Sequence, residues 1–165
     1  MDKLSRIVDS EGSIRTDFIA EYEFKTVLVF DIFRGVEADW LAHAITRLAN
    51  NVMQEIESLS YDDGKIVDEK RLKVTRDSIL EYVLDKNLYH TILTDGDLNF
   101  VAYFSQYRDF FLICGKSEFL QAAYPVASDT IRFQYFENVK LEAQRGPVDE
   151  DHYAKLWEKY LDSSL

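Results

Sequence analysis

The sequence predicts an α+β protein in which an antiparallel sheet packs against a long amphipathic helix and a C-terminal helix. Three observations lead to this class. An apolar stripe at three- and four-residue steps follows Arg34-Gly35, short β-rich segments fill residues 90–114, and a second helical stripe follows Gly146-Pro147. The 165 residues fit one domain, residues 1–165, and a 47% hydrophobic content is sufficient for a substantial core.

The N-terminal quarter contains one strong strand signal. The arm that ends at Ser13 is predicted as a short helix or a loop. Residues 16–24 fit two structures, because Thr16 is a good helix cap whereas the apolar residues that follow alternate as in a strand, and both alternatives stay open. The β-branched and aromatic run Lys25–Phe33 predicts a buried strand that ends at Arg34-Gly35.

The clearest predicted element is a helix from about Val36 to Ser60. Its apolar stripe would pack across the sheet and consists of Leu41, Ile45, Leu48, Val52, Ile56 and Leu59. The segment Tyr61-Asp62-Asp63-Gly64 breaks the pattern and predicts a turn. A second helix is predicted after Thr75, with apolar residues between 79 and 84 on its inner face.

The middle of the chain predicts a three-stranded antiparallel meander. Its strands are His90–Thr94, Leu98–Phe104 and Asp109–Cys114. Asp95-Gly96-Asp97 is the first, tight turn, and residues 105–108 form the second connection.

The last third predicts further helices. Ser117 is placed to cap a short helix over Glu118–Ala123, which Tyr124-Pro125 ends. Segment 128–140 stays open between helix and strand, because Ser128 favours a helix start whereas residues 131–135 alternate. A C-terminal helix follows Gly146-Pro147.

The charge of the chain predicts what it binds. A net charge of −11 repels nucleic-acid phosphates and anionic lipid and attracts basic protein surfaces. No stretch approaches the roughly 20 apolar residues of a membrane-spanning helix. The single cysteine, Cys114, lies in an apolar run and is expected to be a buried, inert thiol. We therefore expect a cytoplasmic monomer or homodimer that binds neither nucleic acid nor membrane.

The sequence contains no intact catalytic, cofactor or metal motif. Gly115-Lys116-Ser117 lacks the first glycine of a phosphate-binding loop, because Phe110 stands at that position. A calcium loop that began at Asp95 would need a glycine where Phe100 stands. The histidines lie far apart, without a second ligand at zinc spacing. We expect no enzymatic activity, no cofactor and no bound metal.

The candidate partner-binding residues lie at turns and at the ends of elements. Aspartates on turns should project into solvent, where each carboxylate can accept a bidentate bond from an arginine. The alternative is that these aspartates only favour the turn conformation, and it stays open. Tyrosines at element ends (Tyr61, Tyr103, Tyr107 and Tyr124) combine an apolar ring with a hydroxyl, as anchors of protein interfaces do. The predicted binding set is Asp62, Asp63, Asp95, Asp97, Tyr103 and Tyr107.

In the segments Asp109–Gly115 and Phe119–Pro125, together with the predicted helix after Arg34-Gly35, the chain resembles bacterial immunity proteins. These proteins neutralise the toxin domains of contact-dependent inhibition and related polymorphic-toxin systems. The resemblance covers about a third of the chain and transfers no residue roles. It implies a cytoplasmic protein without catalysis that forms a tight complex with a toxin, often a nuclease. The alternatives are a phage-type inhibitor or nucleic-acid mimic, and a small-molecule-binding protein or enzyme.

Overall fold

The computed structural model describes residues 2–48 and 55–162 of the chain. Its helices are α1 (Lys3–Ile7), α2 (Thr16–Glu21), α3 (Gly35–Leu48), α4 (Arg76–Asp85), α5 (Ser117–Ala123), α6 (Ser128–Arg145) and α7 (Glu150–Trp157). Its strands are β1 (Lys25–Val29), β2 (Glu55–Asp62), β3 (Lys65–Lys73), β4 (His90–Thr94), β5 (Phe100–Phe104) and β6 (Phe111–Gly115). A 3₁₀ turn covers Gln106–Arg108, and a π-helical turn, Glu158–Asp162, continues α7. Within the described ranges, no helix is long and apolar enough to cross a lipid bilayer.

The six strands form one antiparallel sheet in the order β1-β6-β5-β4-β2-β3, which confirms the predicted α+β class. The predicted meander is the centre of this sheet, because β4 pairs with β5 and β5 pairs with β6. β1 extends the sheet beyond β6, and β2 pairs with both β4 and β3. β3 is consequently an edge strand, and most of its side chains are exposed.

Helices α3, α4 and α5 cover one face of the sheet. Phe119 of α5 stacks on Phe100 of β5, with ring centroids 5.1 Å apart. The Tyr82 hydroxyl of α4 lies 3.0 Å from the Ser60 hydroxyl of β2. α3 packs against both α4 and α5. The helix predicted after Arg34-Gly35 is therefore the centre of this layer.

The two ends of the chain cover the opposite face. The Tyr160 hydroxyl donates to the Ile14 carbonyl over 2.9 Å, and the Thr26 hydroxyl of β1 donates to the Tyr160 carbonyl over 2.7 Å. The Tyr61 hydroxyl of β2 donates to the Gly12 carbonyl over 2.7 Å. The C-terminal helical segment thus docks on the sheet as predicted, and it shares this face with the N-terminal segment.

The predicted long helix is wrong in its second half. Residues 49–54, Val52 among them, lie outside the described residues, and the segment that follows them is strand β2. Ile56 and Leu59 are both buried, although residues three apart in a strand point to opposite faces. Because helices cover both faces of this sheet, β2 shows no apolar–polar alternation, and its apolar residues continue the helical spacing by coincidence.

The turn after β2 is tighter than predicted. Tyr61 and Asp62 pair within the strand, so that the turn consists of Asp63-Gly64 alone. Both turn residues have positive φ, 50° and 73°. This backbone matches the twist of antiparallel strands, and an aspartate followed by glycine adopts it readily.

Two other strand limits differ from the predictions. β1 stops at Val29, and the Phe33 ring turns into the core, 4.8 Å from the Phe104 ring. β5 begins at Phe100, because Leu98 adopts a positive φ of 55° that ends the pairing.

Both segments that the sequence left open are helical. Residues 16–21 form α2, and the segment that begins at Ser128 forms α6. Ile131 and Tyr135, four residues apart, are buried on one side of α6, whereas Phe133 between them is 66% exposed. The spacing of four, rather than the alternation, was therefore the informative signal. Ser117 is the first residue of α5 and not its cap.

Candidate partner-binding site

Several connections between strands meet at one end of the sheet. The strand registers place the ends of β1, β2 and β5 beside the starts of β3, β4 and β6. The connections at this end are residues 30–34 after β1, Asp63-Gly64 after β2, and residues 105–110 after β5. We call this part of the molecule the Tyr107 end. Because the order is β6-β5-β4-β2-β3, the last two connections are centred three strand spacings, or about 14 Å, apart across the sheet.

Tyr107 is the most exposed aromatic side chain of the described residues, at 67%. Its φ is 67°, and Arg108 after it has a φ of 60°. Left-handed backbone is unfavourable for residues with large side chains, and such strain persists only where the surroundings hold it. The backbone N–H of Tyr107 donates to the Asn87 carbonyl over 2.9 Å. The loop thus presents the ring to solvent from a fixed backbone.

Arg108 holds that backbone in place. Its guanidinium donates to the carbonyls of Val83, Lys86 and Tyr89 over 2.7–2.9 Å, and to the Thr91 hydroxyl over 2.9 Å. It also donates to two carbonyls of its own loop. These bonds connect the loop to the end of α4, where helix carbonyls lack partners within the helix. Burial lowers the pKa of Arg108 to about 10, so the side chain stays charged at neutral pH.

A buried chain of hydroxyls continues from Arg108 toward the surface. The Ser60 hydroxyl lies 3.2 Å from the Thr91 hydroxyl and 3.0 Å from the Tyr82 hydroxyl. The Tyr82 hydroxyl donates to the Asp68 carboxylate over 2.9 Å. The guanidinium and this carboxylate therefore terminate one satisfied polar network, which fixes α4 against β2 and β4.

Exposed apolar side chains surround Tyr107. Leu84 in the last turn of α4 and Leu88 after it are 49% and 59% exposed. The Leu88 carbonyl accepts a bond from the Gln106 side chain over 2.9 Å, which places it beside Tyr107. Ile32 is 53% exposed and Leu141 of α6 is 47% exposed. Apolar side chains gathered in this way around a rigid tyrosine are typical of a protein-binding surface.

A cleft of about 580 Å³ opens beside Tyr107. Loop residues 30–34, the loop of Tyr107 and Asp109, the second half of α6, and Tyr153 of α7 form its walls. The Asn138 amide of α6 donates to the Phe30 carbonyl over 3.1 Å and joins two of these walls. The volume lies within the range of about 300–1,000 Å³ that is usual for ligand clefts.

Among the acidic side chains that line the cleft, Asp109 stands apart. Asp31 forms an ion pair with Arg34 at 3.0 Å, and Glu142 forms one with Arg145 at 3.7 Å. Within the described ranges, no basic side chain forms an ion pair with Asp109. Burial raises the pKa of the Asp109 carboxyl, and the nearby Tyr153 hydroxyl opposes part of that rise. Burial, and secondarily Asp109, raises the pKa of Tyr153 to about 12.

The structure brings three of the predicted binding residues together. Asp62, Asp63 and Tyr107 are all exposed at the Tyr107 end. Tyr103 lies near them in sequence but is only 4% exposed, which contradicts its predicted surface position. Its hydroxyl lies 2.8 Å from Nδ1 of His90. Strand β5 has layers on both faces, so a tyrosine near its end is enclosed.

Tyr61 and Tyr124 were also expected at the surface, and both are buried. Tyr61 stacks on His90 with ring centroids 5.2 Å apart. Tyr124 packs edge-on against Trp40 at 5.5 Å. Tyr107 is therefore the one member of the four predicted tyrosines that faces solvent.

The remaining predicted residues, Asp95 and Asp97, lie at the opposite end of the sheet. Asp97 is exposed, as expected. Asp95 is only 3% exposed, so the expectation that its carboxylate projects into solvent is wrong. That carboxylate accepts the backbone N–H of Asn99 over 2.7 Å and the Asn99 side-chain amide over 2.6 Å. It closes the turn from within, as aspartates at turn starts commonly do.

Sequence reasoning missed Asp109, Ile32 and Leu141. Asp109 was assigned to the start of a strand, and Ile32 to the end of one, so neither was considered as a site residue. Leu141 belongs to the segment beyond the one left open. The available signal was the polar run 105–109 between two apolar strands, which marks a loop.

Two observations concern metal binding and thiol chemistry. Within the described ranges, no group of three or more His, Cys, Asp and Glu side chains is arranged to hold a metal ion. Cys114 is buried, as predicted, and burial raises the pKa of its thiol, which disfavours the reactive thiolate. The features that this end does present, an exposed tyrosine, apolar side chains and carboxylates, are those of a binding surface.

No protein-family model, curated protein or solved structure matches the chain. The structure defines an antiparallel α+β fold in which an exposed tyrosine, apolar side chains and a cleft lie at one end of the sheet.

Proposed function

We propose that this protein is an immunity protein, which binds a cognate bacterial toxin domain and neutralises it, and that the toxin is a nuclease. The observation that carries the proposal is the rigidly presented Tyr107, which is 67% exposed and lines one cleft with exposed apolar side chains and carboxylates. An interface anchor that is fixed before binding loses little conformational entropy when it docks.

Charge supports a basic partner. Asp62 and Asp63 are exposed at the Tyr107 end, and Asp109 opens into the cleft there. The whole chain carries a net charge of −11. A nuclease needs a positively charged surface to bind phosphates, and an acidic inhibitor complements that surface and speeds encounter with it.

The decisive experiment is rescue of growth. The toxin domain encoded beside this chain is expressed in a bacterial host with and without the chain. We expect growth arrest by the toxin alone and growth at the normal rate when both are produced. Unrelieved toxicity in the presence of the folded chain would contradict the proposal.

A pair of variants connects the rescue to the Tyr107 end. Tyr107→Asn removes the ring, while asparagine tolerates the left-handed backbone at this position. We expect this variant to lose about 2 kcal/mol of binding free energy to the toxin, as interface tyrosines commonly do. Asp97→Asn, at the opposite end of the sheet, is the control and should bind as the wild type does. Isothermal titration calorimetry with the purified toxin domain measures both.

A further inference from the structure

We infer that the cleft beside Tyr107 binds an arginine side chain of the partner, with Asp109 as the pairing carboxylate and Tyr107 and Tyr153 as aromatic walls. The inference rests on the proposed function, which supplies a basic protein as the partner. It deepens that function by naming the group that is recognised and the residues that recognise it.

Of the described acidic side chains that line the cleft, one is not paired with an arginine of this chain. Asp31 and Glu142 are already paired with arginines of this chain. The guanidinium of Arg108, although its residue borders the cleft, is occupied by carbonyls of α4 and by Thr91 on the other face of the sheet. Asp109 thus remains as an exposed carboxylate of the cleft for which no ion pair is found among the described residues. A guanidinium that enters the cleft can pair with it.

The walls next to Asp109 suit a planar cation. Tyr153 packs edge-on against Phe30 at 4.7 Å and against Phe110 at 6.5 Å, so its ring is held in position. Tyr107 lines the same cleft. Tyrosine faces attract cations, and desolvation strengthens that attraction.

Arginine fits this site better than lysine. A guanidinium is flat, stacks on aromatic rings, and forms two parallel bonds with one carboxylate. An ammonium group is more strongly hydrated and would lose more hydration free energy in a cleft with aromatic walls. The Tyr153 hydroxyl lies near Asp109 and would be a second polar group beside the carboxylate that pairs with the bound guanidinium.

The test uses a short blocked peptide, acetyl-Gly-Arg-Gly-amide, and the full chain. Binding is followed by the backbone amide signals in two-dimensional NMR spectra. We expect the signals of Tyr107, Asp109 and Tyr153 to shift in a saturable way. A peptide with citrulline in place of arginine keeps the shape but lacks the charge, and should bind at least about tenfold more weakly. Equal binding of the two peptides would overturn the inference.

Two variants separate the cleft from the general charge of the molecule. Asp109→Asn and Asp97→Asn each remove one negative charge, but only the first lies in the cleft. We expect Asp109→Asn to weaken peptide binding about tenfold and Asp97→Asn to leave it within about twofold. Equal losses in both variants would reduce the interaction to non-specific attraction. If Asp109→Asn does not fold, Tyr107→Asn provides the same test through the loss of the wall.

Free L-arginine distinguishes a protein partner from a small ligand. We expect it to bind no more tightly than the blocked peptide, and tighter binding would make the cleft a site for free arginine instead. If the peptide does not bind but the chain rescues growth, the arginine site is contradicted and the immunity function still stands. If the peptide binds but growth is not rescued, the arginine site is supported and the immunity function is contradicted.

Discussion

At the scale of single residues, Arg108 is the side chain on which the Tyr107 end depends. Its replacement by alanine leaves buried carbonyls of α4 without donors, among them those of Val83 and Lys86. Each unsatisfied buried group costs roughly 1–3 kcal/mol, and relaxation recovers part of the sum. We expect Arg108→Ala to lower the free energy of unfolding by about 3 kcal/mol, measured by urea denaturation.

Arg108→Lys is the matched variant for this position. Lysine keeps the positive charge but presents three donors from one atom, which cannot reach carbonyls on both sides of the loop. We expect the free energy of unfolding of Arg108→Lys to lie between that of the wild type and that of Arg108→Ala. A lysine variant as stable as the wild type would mean that the charge, and not the hydrogen bonds, holds the loop.

His90 makes stability depend on pH. Burial lowers the pKa of its imidazole below the ordinary value of 6.5, and nearby Asp62 opposes part of that shift. The unfolded chain therefore binds the proton more readily, and the stability from this residue is present above pH 6.5 and lost as the pH falls below it.

His90→Asn tests this linkage, because asparagine cannot titrate and its amide can still bond to the Tyr103 hydroxyl. We expect the stability difference between wild type and variant to fall between pH 7 and pH 5, measured by denaturation at both values. The other titratable groups are the same in both proteins, so their contributions to the pH dependence cancel in this difference. A difference that does not change with pH would contradict the prediction.

At the scale of elements, the sequence predicted those structures whose signals are local. The helix after Thr75, the meander over residues 90–114 and the C-terminal helix all follow from periodicity and turn residues. Strand β2 did not, because its two faces are both buried and burial on both faces removes the period of two. That information lies in the layers of the tertiary structure.

The candidate site was predictable only in part, for a similar reason. Exposed turn residues such as Asp63 and Asp97 carry a local signal. The sequence does not show which turns share an end of the sheet, because that depends on strand order. It also does not show that Asp95 bonds to Asn99 and is thereby enclosed. The Tyr107 end became visible only with the strand registers.

The contact between α5 and the sheet depends on Gly115 at the end of β6. A Cβ atom there would lie 2.7 Å from Cδ1 of Phe119, whose ring stacks on Phe100. Because Phe119 is only 5% exposed and stacks on Phe100, its ring can move away from position 115 only if this packing is disturbed. We expect Gly115→Ala to cost about 1–3 kcal/mol of unfolding free energy by chemical denaturation.

Two comparisons test whether the loss of unfolding free energy in Gly115→Ala comes from the contact with the Phe119 ring. Gly96→Ala introduces the same methyl group where no atom lies within 4 Å, and should change stability by less than about 0.5 kcal/mol. In a Phe119→Ala background, Gly115→Ala should be cheaper than in the wild type, because the obstructing ring is gone. An equal cost in both backgrounds would place the strain elsewhere.

At the scale of the whole molecule, the two ends of the sheet carry different sets of exposed side chains. The Tyr107 end carries the exposed tyrosine, the Asp62 and Asp63 turn and the cleft. The opposite end carries Asp97, the exposed Lys25 at the start of β1 and the exposed Lys116 after the end of β6. The helical layers on both faces hold this sheet rigid. A partner that is attracted by charge and anchored by Tyr107 would therefore bind at the Tyr107 end.

This arrangement predicts how the association rate with the toxin domain depends on salt. Attraction between opposite charges is screened as the Debye length falls from about 10 Å at 0.1 M salt to about 3 Å at 1 M. If the acidic Tyr107 end steers the encounter, the association rate constant should fall steeply over this range. Tyr107→Asn should leave it nearly unchanged and raise the dissociation rate constant instead, because short-range packing acts after encounter.

Two double variants decide whether the Tyr107 end or the total charge is responsible. Asp62→Asn with Asp63→Asn removes two charges from that end, and asparagine tolerates the left-handed backbone at position 63. Asp97→Asn with Glu118→Gln removes the same two charges from the opposite end. Stopped-flow mixing should show a several-fold slower association at 0.1 M salt for the first pair, and a small change for the second. Equal slowing in both pairs would show that the net charge of −11 acts as a whole and that the partner is not steered to one end.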